Sequence, residues 1–210
     1  MTARLGAGIG ALAVAGVIAT AFLIDDGNDA APGAATTAST DTGEGGAAAP
    51  VVEVETPELT DRGPHPELLD IDGWLQSEVS SLEELRGKVV AVQFWTFGCS
   101  NCRATLPHMQ ELYENYAEEG FEIVGVHAPE FAYEAEVSNI VEAADELGVT
   151  WPIVLDTEKR TFHSWQEGPT GHWPRIYLLD RDGNIRYDHI GEGRYAQTDA
   201  AVRSLLAEQS

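Results

Sequence analysis

This chain of 210 residues has only two cysteines, two methionines and two lysines, and the scarce residues narrow what it can be. Two cysteines cannot build a disulfide framework. The pair is Cys99 and Cys102 with Ser100-Asn101 between them, and a structural disulfide across so short a ring would stabilise little, because the gain grows with the loop closed. A structural zinc site wants four ligands, and no second Cys pair or spaced His pair accompanies the first. His108 is the only histidine near the pair, and it reads as a helix-surface residue. No cysteine follows the apolar N-terminal stretch until Cys99, which excludes a lipid anchor there. Lysine is confined to Lys88 and Lys159, and 35 acidic against 12 basic residues give a formal charge of -23. Such a balance disfavours nucleic acid and anionic lipid headgroups as partners.

What is present is a pair of thiols in a particular setting. The apolar run Val89-Val90-Ala91-Val92-Gln93-Phe94-Trp95 reads as a buried strand, and a helix is expected to begin at about Ser100. That junction puts Cys99 at a helix N-terminus, where unpaired backbone N–H groups and the macrodipole favour thiolate. Cys99 is therefore the expected nucleophile. Cys102, one turn inside, is placed to resolve a mixed disulfide formed on Cys99.

Residues 1–24 and 25–57 read as appendages. Leu5 to Ile24 carries no charge, and about 20 residues at ~1.5 Å rise match the ~30 Å hydrocarbon core of a bilayer. Arg4 precedes this stretch and Asp25-Asp26 follow it, an arrangement that favours a cytoplasmic N-terminus with the rest of the chain outside. Ala19-Thr20-Ala21 also has the small-x-small form of a signal-peptidase site, so both an uncleaved single span at the cell membrane and a cleaved, secreted product are expectations. From residue 25 to 57 the composition turns to Ala, Gly, Thr, Pro and acids with no regular period, as in a disordered acidic tether. The acidity is not confined there, since 26 of the 35 acids and ten of the 12 bases lie beyond Gly63.

Residues 58–210 suffice for one domain, and no internal repeat appears. Ser81-Leu82-Glu83-Glu84 matches a capping box for a short helix ended by Gly87. Lys88 to Trp95 is followed by an expected helix from Ser100 to Glu119, with a kink at Pro107. Phe121 to His127 is a second buried strand, and Val137, Ile140, Val141, Ala144 and Leu147 trace one face of the next helix. Val149 to Leu155 is expected to be a strand. Arg175 to Leu179 and Ile185 to Ile190 form a hairpin around Asp180-Arg181-Asp182-Gly183-Asn184, and a closing helix is expected to be capped at Thr198. The alternation of strands and helices implies an α/β domain with a mixed central sheet and helices on both faces.

Taken together, Phe94-Trp95 ahead of Cys99-x-x-Cys102, Pro107 in the helix, and Trp173-Pro174 before a hairpin resemble the thioredoxin superfamily. Leu85-Arg86-Gly87-Lys88-Val89-Val90, Thr105-Leu106-Pro107, Gly125-Val126-His127-Ala128-Pro129-Glu130-Phe131 and Gly191-Glu192-Gly193 resemble its TlpA-like branch, in particular the extracytoplasmic thioredoxin domain of DipZ-like proteins. The resemblance implies a thioredoxin fold and a membrane-tethered disulfide oxidoreductase working without a cofactor. It also implies disulfide-containing client proteins and a separate CcdA-like membrane electron donor. Pro174 would be cis and would present backbone to the client beside Trp173, with Trp95 as an apolar wall, a core aromatic ending its strand, or both. Where many thioredoxins carry a buried acid for the resolving thiol, this chain has Gln93. Glu130 and His127 are the expected substitutes as auxiliary acid or base.

Two rival readings stay open on the residues. Thr96-Phe97-Gly98-Cys99 resembles the Thr-x-x-Cys of peroxiredoxins, which would make Cys99 a thiol peroxidase. A copper-delivery module on the same fold would use both thiolates and a histidine. A peroxidase would consume hydrogen peroxide through sulfenic acid at Cys99, whereas a copper carrier would bind Cu(I) tightly without disulfide turnover.

Overall fold

The computed structural model describes residues 56–166 and 170–208. The stretch expected to span or leave the membrane, and nearly all of the expected tether, lie outside the described residues. Among the described residues no helix is long and apolar enough to cross a membrane.

The strands are β1 (Gly73–Leu75), β2 (Val89–Trp95), β3 (Phe121–His127), β4 (Ile153–Leu155), β5 (Arg175–Leu179) and β6 (Ile185–Ile190), and the helices are α1 (Ser100–Tyr116), α2 (Val137–Glu146), α3 (Arg160–Trp165) and α4 (Tyr195–Ala207). They form one six-stranded sheet in the order β1-β4-β3-β2-β5-β6. β2 runs parallel to β3 and β3 parallel to β4, while β1, β5 and β6 pair antiparallel. The sheet is mixed, as the sequence pattern implied.

Strand alternation sends the side chains of β2 to two cores. Val89, Ala91 and Trp95 pack with Cys102, Leu106, Met109 and Leu112 of α1, Ile140 of α2 and Val202 of α4. Val90, Val92 and Phe94 point the other way, toward Phe162 and Trp165 of α3. Both faces of β2 and β3 are thus buried, which is why these strands read as continuous apolar runs rather than alternating ones.

Several local expectations shift, each for a physical reason. β4 begins at Ile153 rather than Val149, because Pro152 has no N–H to give the ladder and contributes only its carbonyl, which accepts from Gly125 N at 2.9 Å. Helix α4 starts three residues before Thr198, whose hydroxyl donates back to the Arg194 carbonyl at 3.2 Å instead of capping. The capping box at Ser81 is displaced by one residue: the Glu84 carboxylate accepts from the N–H and hydroxyl of Ser80 at 3.1 and 2.7 Å, and only a 3-10 turn, Glu83–Leu85, follows. The helix after the cysteines closes in a 3-10 turn, Ala117–Glu119, that ends where Gly120 takes φ 95°, a left-handed value that favours glycine. On α2 the buried arc centres on Ile140 and Ala144 with Ala143 joining it, so Val137 and Val141 at its margin stay about half exposed. β1, α3 and the 3-10 turn Ala132–Ala135 were not foreseen. None of the three is long enough to show a period.

Candidate active site

The site lies at the carboxyl ends of β2 and β3, where the chain leaves the sheet. Cys99 is the N-cap of α1, with extended backbone (φ -76°, ψ 120°), and its Sγ accepts the Cys102 backbone N–H at 3.4 Å. Its thiol faces the Trp173 carbonyl at 3.9 Å. Cys99 is half-buried, whereas Cys102 is fully buried, and both thiols are free. Burial pushes the Cys102 thiol well above the ordinary cysteine range, its hydrogen bond with Cys99 pushes the same way, and a backbone bond from Thr96 opposes them. The two sulfurs are therefore unequal in access, and burial holds Cys102 in its thiol form.

One arm of the site comes from α3. The buried Asp156 carboxylate accepts from the N–H groups of Thr161 at 3.2 Å and Phe162 at 2.7 Å, fixing the first turn of that helix. Phe162 then stacks on Trp173, with ring centroids 4.2 Å apart and planes at 21°. The indole N–H of Trp173 donates to the Ala128 carbonyl at 3.0 Å, and the Trp173-Pro174 bond is cis. This arm presents the Trp173 carbonyl to Cys99.

The other arm is held by Glu134, which sequence reasoning missed. Its side chain is fully buried. One carboxylate oxygen accepts from Gly98 N at 2.9 Å, and the other accepts from Glu130 N at 2.6 Å and Phe131 N at 2.9 Å. The residue before the nucleophile is thereby bonded to the loop after β3. A Cβ at position 98 would collide with the Glu134 carboxylate and crowd the Tyr133 hydroxyl, so only glycine permits this approach. In sequence Glu134 is one acid among many, and only its place between Tyr133 and Ala135 distinguished it.

His127 is buried beside this arm. Its Nε2 lies 3.3 Å from the Thr96 hydroxyl, and its ring stacks on Phe97 and meets Trp95 edge-on. Burial lowers its pKa to about 4, against the opposing charge of Glu134, so the ring is neutral at pH 7. His127 is thus poorly suited to accept a proton. Glu130 is exposed, and its charge is felt at Cys102, where it disfavours thiolate.

The remaining expected site residues fall as follows. Trp95 is fully buried in the α1-side core, so it presents no wall to a client; half-buried Phe97 and Trp173 occupy the surface instead. Gln93 is fully buried with neither amide atom hydrogen-bonded, and alternation along β2 sends it to the same face as Trp95 and Cys102. The Thr96 hydroxyl is buried, 3.3 Å from His127 Nε2. His108 is half-buried with its ring 4.7 Å from that of Tyr195, not a free surface group, and burial lowers its pKa. Among the described residues no group of three or more His, Cys, Asp or Glu could hold a metal ion, so the histidine that a copper carrier would add to the two thiols has no counterpart there.

Comparison with known proteins gives a concordant result. The model of the AhpC/TSA family matches residues 59–188. Protein DipZ of Mycobacterium tuberculosis is 38% identical over 152 residues, covering 71% of this chain and 21% of DipZ. The chain thus spans about a fifth of the length of that relative. The thiol-disulfide oxidoreductase ResA of Bacillus anthracis is 30% identical over 131 residues, covering 62% of this chain and 71% of ResA. Among solved structures, a thioredoxin-like protein in its oxidized form superposes with a TM-score of 0.62 at 29% identity, over 71% of this chain and 98% of that one.

Proposed function

Because the chain belongs to the AhpC/TSA family in its thioredoxin-like form, we propose that it is a thiol-disulfide oxidoreductase that reduces disulfides in client proteins through Cys99 and Cys102. The observation that carries this reading is the asymmetry of the pair: an accessible sulfur on a helix N-cap, backed by a buried one. In the first step the Cys99 thiolate attacks one client sulfur, a Cys99–client S–S bond forms, the client S–S bond breaks, and the released client thiolate takes a proton. In the second, Cys102 loses its proton and attacks the Cys99 sulfur. The Cys99–Cys102 disulfide forms, the mixed disulfide breaks, and the second client sulfur leaves as a thiol. Two electrons and two protons pass from the protein to the client.

The buried Cys102 must ionise for the second step, and Gln93 cannot accept its proton. Glu130 serves as the acceptor through solvent, since it is exposed and electrostatically coupled to Cys102. The Trp173 carbonyl, beside Cys99, offers an acceptor to the backbone of an extended client. The protein works outside the cytoplasm as a reductant, held by the Leu5–Ile24 stretch as a single membrane span and recharged by a CcdA-like membrane donor. The uncharged N-terminal run, the acids that follow it and the resemblance to extracytoplasmic DipZ-like domains support this.

The test is trapping. With Cys102→Ser, a mixed disulfide between Cys99 and client should accumulate, while Cys99→Ser should trap nothing and abolish reduction of a small disulfide by dithiothreitol-fed protein. Rapid consumption of hydrogen peroxide by Cys102→Ser, with no trapped client, would favour the peroxidase reading instead.

A further inference from the structure

Beside the dithiol stands an aromatic shelf that the exchange chemistry does not use. Phe131 and Tyr133 are 52% and 51% exposed, and their rings lie parallel, 5.9 Å apart at 7°. Tyr133 also meets Phe97 edge-on at 5.7 Å, and Phe97 is backed by His127. Large apolar side chains exposed together in this way mark interaction surfaces. The shelf is built rather than loose: the Glu134 carboxylate bonds Phe131 N and Gly98 N, and Asn139 Nδ2 donates to the Tyr133 carbonyl at 2.8 Å. Its position relative to Cys99 is therefore fixed through one residue.

Between the shelf and α2 lies a hollow of about 220 Å³, walled by Phe97, Tyr133, Ala143 and Leu147. Sites for free small molecules run from about 300 to 1,000 Å³, so this one is sized for a side chain. Glu142 and Glu146 line the same hollow together with Asn139 and one cation, Arg103, and Glu130 and Glu136 flank the shelf in sequence. None of these four carboxylates has an ion-pair partner among the described residues.

We infer that the hollow between Phe97, Tyr133 and α2 is a specificity subsite that takes an aromatic side chain adjacent to the target cysteine of a positively charged client segment. This rests on the thiol-disulfide reading and names its substrate class. Continuity with the Cys99 site commits the occupant to the client polypeptide, because a chain tethered by a mixed disulfide at Cys99 must pass over Gly98 and Tyr133 or over Trp173. The four unpaired carboxylates outnumber Arg103 and so select a cationic segment over an acidic one. The neutral, stacked rings supply the apolar contact.

Peptides carrying one cysteine in mixed disulfide with glutathione test it, with Phe or Ala next to the cysteine and Lys or Glu flanking that pair. The full chain should reduce the Phe/Lys peptide about tenfold faster in kcat/KM than the Ala/Glu peptide, corresponding to ~1.4 kcal/mol. Tyr133→Ser and, separately, Phe131→Ser should shrink that ratio, and raised salt should shrink only its Lys/Glu part. Equal rates for all peptides, alongside active reduction of glutathione disulfide, would overturn the subsite while leaving the exchange chemistry intact. Failure to reduce glutathione disulfide as well would overturn the parent reading. Concentration-dependent dimerisation abolished by Tyr133→Ser would assign the shelf to a second copy and would also overturn the proposal.

Discussion

Asp156 and Glu134 are both fully buried carboxylates that accept backbone N–H bonds beside the dithiol, yet they organise the two arms of the site in different ways. The Asp156 carboxylate bonds to backbone N–H groups four to six positions ahead, in the first turn of α3, so it acts as a helix cap and influences the site indirectly, through Phe162 and Trp173. Glu134 bonds locally to Glu130 and Phe131 but also reaches back 36 residues to Gly98, next to the nucleophile. The same chemistry serves secondary structure in one place and tertiary registration in the other. Loss of the long-range tie should therefore cost function as well as stability, whereas loss of the local cap should be felt mainly in stability.

Glu134→Ala is the sharpest test. It removes three part-buried backbone hydrogen bonds, each worth about 1 kcal/mol net, so a stability loss of about 3 kcal/mol is expected by denaturant titration. The kcat/KM for client reduction should fall about tenfold, and Glu134→Gln, which keeps an acceptor, should recover part of both. Equal losses of activity in Glu134→Ala and an Asp156 variant of matched stability would erase the distinction between the arms.

The Glu134 arm also carries a pH dependence through His127. Its pKa is lowered from 6.5 to about 4 in the fold, so between those values the unfolded chain binds more protons and stability falls as the pH drops. The span is worth about 3 kcal/mol at most, at ~1.36 kcal/mol per unit. His127→Phe should flatten the stability profile between pH 6.5 and 4, measured against the parent chain. An unchanged slope would mean that His127 is not held neutral by burial.

Asp156→Asn should have the smallest effect. Burial raises the pKa of Asp156 and its backbone bonds hold it down, so burial favours the protonated form and part of the stability present at low pH is lost as pH rises through the aspartate range. Asn keeps one acceptor oxygen, removes the charge and turns its NH2 group on the second buried N–H, so stability at pH 7 should fall by about 1–2 kcal/mol. The gain on acidification should disappear from the calorimetric profile. A larger loss of client reduction than in Glu134→Gln would reverse the ranking of the arms.

The dithiol, the two long buried strands and the helix between them were legible because short-range rules write them. Val89 to Trp95 and Phe121 to His127 are apolar runs of strand length, and Cys99 follows the first at the point where a helix can start. The Trp173-Pro174 turn was legible only through resemblance, since nothing local distinguishes a cis bond in advance. The position of the two sulfurs at the start of α1 was legible in the sequence, and the groups around them were less so. Trp95 was expected to line the site, to end its strand in the core, or both, and its position on β2 turns it into the core with Ala91 and Val89. Glu130 drew attention as the acid nearest the end of β3, while Glu134, four residues on, makes the contacts.

By itself the sequence determined the chemistry available: two thiols one helical turn apart, an acidic and lysine-poor surface, and apolar periods that commit β2, β3 and α1 to a packed α/β core. Tertiary structure decided which groups that chemistry meets. Gly98 and Glu134 lie far apart in the chain, as do Cys99 and Trp173, and each pair comes together only after the sheet has formed in the order β1-β4-β3-β2-β5-β6. Local sterics and solvent exclusion act over a few residues and leave a period in the sequence. A contact across the sheet depends on the closure of the whole chain, and no period records it.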